Sequence, residues 1–126
     1  MAELENIFHV DDDEDILDIT LMSLEMVDSF TVRQFSSGQK ALDAVTSIAP
    51  DLLLLDVMMP NMTGPDLWEA IKKLPECENI PAIFMTAKAE NSLSQELIEL
   101  GALAVITKPF DPMTLGAEIR AAWAGL

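Results

Sequence analysis

The sequence predicts one α/β domain built on a doubly wound, five-stranded parallel sheet, and three observations carry that expectation. Short β-rich runs alternate with longer amphipathic segments, with no sequence repeat and no low-complexity tract. The amphipathic segments run to roughly 10–15 residues, the length of a right-handed helical crossover between parallel strands. One β-rich run, "LLLLD" at 52–56, is apolar on both alternating faces, as a strand covered by helices on both sides must be. A chain of 126 residues suffices for one core. The expected extent is a single domain over 1–126, with no room for a separate output domain.

In chain order, "NIFHV" at 6–10 is the first strand, followed by the acidic run "DDDED" and a helix over 14–27. Acidic residues favour helix N-termini, so that run taken alone reads as a solvated helix start. "FTVRQF" at 30–35 is the second strand. Arg33 and Gln34 interrupt its apolar pattern, which fits a strand at the sheet edge. A helix over 38–48 leads to the central run at 52–56, and a helix over 65–74 leads to "AIFMT" at 82–86. A helix over 91–100, the strand "AVIT" at 104–107 and a helix over 112–124 complete a (βα)5 chain. With the second strand at the edge, the strand order is 2-1-3-4-5, the flavodoxin-like arrangement.

In open parallel sheets, ligands bind beyond the carboxyl ends of the strands. Four of the five strand ends carry chemistry there: Asp11 and Asp12 after the first, Asp56 at the end of the third, Thr86 at the end of the fourth, and Lys108 directly after the fifth. The second strand ends in "SSG", with neither carboxylate nor amine. A lone buried carboxylate after four leucines costs several kcal/mol unless paired. The topology gives Asp56 other carboxylates and one lysine. Three carboxylates in close range repel one another unless a cation intervenes, and a hard divalent ion, Mg²⁺, suits all-oxygen ligands with retained waters. Ammonium, hydroxyl, metal and carboxylate are together the parts needed to accept a phosphoryl group as an aspartyl phosphate. Asp56, on the central strand, is the expected nucleophile.

Taken with "VDD" after the first strand, "LLLLDVMMPNMTG", "MTA" at 85–87 and "KPF" at 108–110, the chain resembles the receiver domain of two-component response regulators, the CheY-like family, over essentially its whole length. The resemblance implies that Asp12 ligates Mg²⁺ directly, that Asp11 acts largely through a bound water, and that Asp56 is both metal ligand and phosphoacceptor. It further implies a metal ligand in the backbone carbonyl of Met58 and a phosphoryl donor in Thr86. The backbone N–H of Ala87 assists, Lys108 contacts another phosphoryl oxygen, and the Lys108–Pro109 bond is cis. The implied partners are a histidine kinase or histidine phosphotransfer protein and a downstream effector of unknown identity. The implied result of phosphorylation is an altered surface around the fourth and fifth helices.

Val105 stands three residues before Lys108, where receivers commonly carry Tyr or Phe, so an aromatic rotamer switch is absent. The signal must leave through Thr86, the loop from Ala87 to Glu90 and the next helix, or by another route. Met58 and Lys88 flank the pocket at positions that tune hydrolysis in this family. Met58 has no amide or carboxylate to orient water, which implies slow self-dephosphorylation. Only Lys88 and Arg120 are expected near the face between the fourth and fifth helices, too few for a dimer held by ion pairs.

A competing reading is a haloacid-dehalogenase-like phosphohydrolase with Asp11 as nucleophile, Thr86 and Lys108 as partners, and Asp56 as a spectator. It lacks the later acidic pair, since only Asp111 and Glu118 follow Lys108. An unphosphorylated scaffold is the third reading, and it has no electrostatic reason to keep mutually repelling carboxylates. The run at 11–15 has neither the spacing nor the glycine of a calcium loop.

The net charge of −15, from 22 acidic against 7 basic residues, argues against direct nucleic-acid binding. A single cysteine, Cys77, no secretory signal and no apolar stretch long enough to span a bilayer suggest a cytoplasmic protein off the membrane. His9, without a histidine or cysteine partner, reads as a packing residue. Trp68 and Trp123 read as partly buried anchors, with Trp123 an alternative contact for a partner.

Overall fold

Each of the five β-rich runs forms a strand, and in the computed structural model, which describes residues 3–87 and 91–126, all five pair in parallel. The strands are β1 (Asn6–Val10), β2 (Thr31–Phe35), β3 (Leu52–Asp56), β4 (Ala82–Thr86) and β5 (Ala104–Thr107). Their order is β2-β1-β3-β4-β5, as the sequence predicts. The helices are α1 (Glu14–Met22), α2 (Gly38–Ile48), α3 (Gly64–Lys72), α4 (Asn91–Glu99) and α5 (Leu115–Ala124), with a π-helical turn over Ser23–Val27 at the end of α1. Lys88 and the loop between Ala87 and α4 lie outside the described residues.

Register fixes the rim. Val10 pairs with Leu55, Asp56 with Met85, and Thr86 with Thr107, so the ends of β1, β3, β4 and β5 finish level. Every residue of β3 and β4 is buried. Phe8, Val10, Leu53, Leu55 and Phe84 face one core cluster with Leu67, Trp68 and Ile71 of α3. Ile7, Leu52, Leu54, Ile83 and Met85 face the other, with Leu24 of the π turn and Leu115 and Ile119 of α5. The apolar run in β3 thus feeds both layers alternately.

Helix ends differ from the sequence expectation by a few residues, each for a local reason. The first helix is expected to be α-helical to 27, but it widens to π geometry at Ser23, where the turn packs against α5. The second strand begins at Thr31, one residue late, because the Phe30 N–H donates to the Leu24 carbonyl. The third helix starts at Gly64 behind a Thr63–Asp66 capping box. The fourth ends before Gly101, whose φ of 109° continues no helix. The fifth starts at Leu115, later than the expected 112, because Asp111 closes a preceding turn by accepting from Thr114 and Leu115.

Several side chains take places the sequence left open. β2 lies at the edge, with Arg33 exposed, while Gln34 turns inward and its Nε2 donates to the Leu17 carbonyl (2.6 Å) and to His9 Nδ1 (3.1 Å). His9 is fully buried and held neutral by burial and then by Lys108, its pKa pushed down to about 3. Arg120, expected near the α4–α5 face, turns toward the segment between the π turn and β2. It stacks 4.2 Å over Phe30 and donates to the Asp28 carbonyl. Trp68 is buried edge-on to Phe84, and Trp123 is half-buried beside the second cluster.

Candidate functional site

At the carboxyl rim, the ends of β1, β3, β4 and β5 bring polar side chains to one cavity. After β1 the Asp11 N–H donates to the Phe35 carbonyl, which fixes the turn. Asp11 is fully buried. Its Oδ1 accepts from the Asp13 N–H (2.9 Å) and its Oδ2 from Lys108 Nζ (2.7 Å), so both oxygens are engaged. The acidic run divides by role. Asp13 is the N-cap of α1 and accepts from the Asp15 N–H, the helix-start reading, whereas Asp11 and Asp12 turn toward Asp56.

Asp56 is 5% exposed. The Val57 N–H donates to the Met85 carbonyl and the Gly64 N–H to the Val57 carbonyl, which draws the first turn of α3 against the end of β3. A Cβ at Gly64 would overlap the Asp56 carbonyl oxygen, so only glycine permits this approach. Lys108 is placed by its own backbone, since its N–H donates to the Thr86 carbonyl at 2.7 Å. Its ammonium reaches Asp56 Oδ1 at 3.1 Å as well as Asp11. The Lys108–Pro109 bond is cis, as the resemblance implies.

These groups line a cavity of about 490 Å³ with Asp12, Asp13, Met58, Thr86, Ala87 and Leu93. Asp11, Asp12, Asp56, Met58, Thr86, Ala87 and Lys108 are all brought to it, whereas Lys88, expected to flank it, lies outside the described residues. Thr86 is buried in its wall, Ala87 is exposed at the mouth, and Met58 is 74% exposed. Asp13 and Leu93 also line it, and the sequence reading did not assign them to the pocket. Asp13 was visible only as a helix cap, and Leu93 is an apolar residue on an amphipathic helix with no signal beyond its spacing.

The electrostatics are those of a cation site. Carboxylate oxygens of Asp11, Asp12 and Asp56 lie within 4.8 Å of one another. Burial, then the charge of Asp11, pushes Asp56 up to about 6, against the opposing pull of Lys108. Burial works against the Lys108 charge, yet hydrogen bonds and charge from Asp11 and then Asp56 raise its pKa above the usual lysine value. Two buried carboxylates share one ammonium with a third carboxylate at the entrance. That donor set is all oxygen and overcharged by itself, and it fits a hard divalent cation.

The comparisons agree with this geometry. The family model for the response regulator receiver domain matches residues 7–120. The chain is 41% identical over 107 residues to sporulation initiation phosphotransferase F of Bacillus subtilis, covering 85% of this chain and 84% of that protein. It is 36% identical over 121 residues to the transcriptional regulatory protein CseB of Streptomyces avermitilis, covering 96% of this chain and 50% of that one. The chain spans about half the length of several curated relatives it matches. Among solved structures, the chemotaxis response regulator CheY4 of Vibrio cholerae superposes with a TM-score of 0.85 at 25% identity, over 95% of this chain and 99% of that one. The haloacid-dehalogenase alternative gains no support. Its nucleophile, Asp11, is fully buried with both oxygens engaged, and the family match is to another fold role. With its sheet order, its rim of carboxylates and lysine, and a family match across most of its length, the chain belongs to the response regulator receiver domain family, whose members are phosphoacceptor signalling switches.

Proposed function

We propose that Asp56 is the phosphoacceptor of a two-component switch, with Lys108, Thr86 and the Ala87 N–H receiving the phosphoryl oxygens. The observation that carries this reading is the Lys108 ammonium bridging Asp56 and Asp11 inside the cavity, at 3.1 and 2.7 Å. An Asp56 oxygen forms the new bond to phosphorus while the P–N bond to a donor histidine breaks and the imidazole leaves with the electron pair. Lys108 and Thr86 hold charge and orientation during that exchange.

Asp11, Asp12, Asp56 and the Met58 carbonyl would hold Mg²⁺, which supplies charge neutralisation for the carboxylates and the incoming phosphoryl group. The phosphoryl group stays on the protein, so the chain acts as a switch and not as a turnover enzyme. Self-hydrolysis is slow. The donor is a histidine kinase or a histidine phosphotransfer protein, and the readout is altered affinity for an effector protein at the surface around α4 and α5. A net charge of −15 disfavours direct nucleic-acid contact. Among the described residues no helix is long and apolar enough to cross a membrane. A cytoplasmic location follows from the proposed donor.

Intact mass after incubation with Mg²⁺ and acetyl phosphate tests the reading. A single base-labile phosphoryl adduct, absent in Asp56→Asn, is the expected result. Multiple turnovers of donor, or an adduct that persists in Asp56→Asn, would overturn it.

A further inference from the structure

Ser23 is 2% exposed and opens the π turn, and its hydroxyl donates to the Pro112 carbonyl, 89 positions away in the chain. Pro112 belongs to the segment that begins at Lys108. That segment has little freedom. Prolines at 109 and 112 fix φ, and Phe110 packs against the core cluster beneath α5. Asp111 accepts the Met113 N–H through Oδ1 and the Thr114 and Leu115 N–H groups through its carbonyl. Residues 108–112 therefore form a short strut, with the pocket ammonium at one end and the acceptor for Ser23 at the other.

The π register is the rarest of the three hydrogen-bond registers open to a helix, and single π turns within α-helices are frequent at functional sites. Lys108 Nζ lies 2.7 Å from Asp11 Oδ2, and a phosphoryl group on Asp56 would give it a competing anionic partner that pulls on that bond. The strut carries that pull to Pro112. No aromatic stands at 105 to offer the alternative of a side-chain switch. Met26 and Val27, both exposed, ride on the turn, so its rearrangement alters an apolar stretch of surface.

We propose that the Ser23–Pro112 hydrogen bond couples occupancy of the acceptor pocket to the register of the π turn at 23–27, with Ser23 acting as a positioning residue on the Lys108 strut. The inference rests on the phosphoacceptor reading. Coupling of this kind requires an element with two arrangements that both sites bias, and this reading gives the turn the α register as the alternative to the π register it holds.

Hydrogen exchange followed by mass spectrometry on the full chain, with and without acetyl phosphate and Mg²⁺, tests it, with intact mass read on the same samples. In wild type, filling the pocket speeds exchange in peptides spanning 24–30 by about fivefold or more, the lower end of ordinary coupling. In Ser23→Ala that exchange is already fast in the unphosphorylated protein and changes no further, while phosphoryl uptake persists. Should Ser23→Ala not fold, Pro112→Gly keeps the acceptor carbonyl but slackens the strut, and the response is lost there. Uptake in wild type with unchanged exchange at 24–30 would overturn the coupling, as would a full wild-type response in Ser23→Ala. Absence of uptake in wild type would instead overturn the phosphoacceptor reading.

Discussion

Lys108 Nζ lies 2.7 Å from Asp11 Oδ2, although 97 positions separate the two residues in the chain. The same ammonium is 3.1 Å from Asp56 Oδ1. Parallel strands bring the three together, and none of the pairs is local. With side-chain exposures of 13% for Lys108, 0% for Asp11 and 7% for Asp56, the bridge sits in the regime where desolvation and Coulomb attraction are both large.

The first consequence concerns stability. Lys108→Ala leaves Asp11 buried and without its cation, which costs about 3–5 kcal/mol for an interior pair. Chemical denaturation in EDTA should show a correspondingly lower midpoint, and added Mg²⁺ should recover part of it by taking the place of the ammonium. Equal stability of variant and wild type in EDTA would show that the bridge contributes nothing to the fold.

Asp56 gives a pH dependence of opposite sign to an ordinary salt-bridged carboxylate. Its folded pKa is raised to about 6, above the unfolded value of about 3.9, so the folded state binds more protons between those values. The contribution of Asp56 to metal-free stability should be fully present below about pH 4 and should be lost as pH rises through about 6. Asp56→Asn removes this term and should raise the metal-free Tm at pH 7 by on the order of 4 °C. Phosphoryl uptake needs the carboxylate ionised, so at limiting Mg²⁺ it should fall as pH drops below about 6. Higher Mg²⁺ should move that midpoint lower. A midpoint independent of Mg²⁺ would separate the titrating group from the cation site.

Much of this site was legible in the sequence because the polar residues stand at strand ends, where chain order and the switch-point rule alone place them together. "LLLLD" announced both a doubly buried strand and an isolated charge at its tip. What was not legible is set by tertiary contact. The π turn depends on Ser23 meeting Pro112, and nothing local distinguishes residues 23–27 from an α-helix. The inward rotation of Gln34 onto His9 and Leu17 is likewise invisible in a strand read only as polar. Arg120 is expected near the α4–α5 face, but the segment between the π turn and β2 offers it Asp28 and the Phe30 ring.

Gly64 offers a test of how tightly α3 sets the position of Asp56. A Cβ there overlaps the Asp56 carbonyl oxygen and approaches Phe84, so either the helix or the strand end must move. Gly64→Ala should cost about 1–3 kcal/mol through overpacking. It should also slow uptake from acetyl phosphate by about tenfold to a hundredfold, because a displacement near 1 Å of a reacting group has that effect. If the variant loses stability but takes up phosphoryl at the wild-type rate, the strand end is held without α3.

The lifetime of the phosphoryl group turns on Met58. Its side chain is 74% exposed and lines the cavity beside Asp56, so it stands where water reaches the acyl phosphate. A thioether accepts hydrogen bonds weakly and donates none, and it therefore leaves an attacking water unoriented. Lys108 and Thr86, in the same pocket, stabilise charge on the phosphoryl oxygens without activating water. Hydrolysis in the absence of any phosphatase should accordingly take minutes or longer, followed as loss of the adduct after removal of donor. Met58→Asn adds a donor and an acceptor at the same mouth and should shorten the lifetime by about tenfold or more, since orientation of the nucleophile is what the wild-type residue lacks. Its effect on uptake should be small, because the metal ligand at 58 is the backbone carbonyl. A wild-type lifetime of seconds, or an Asn variant as long-lived as wild type, would place control of hydrolysis elsewhere in the pocket.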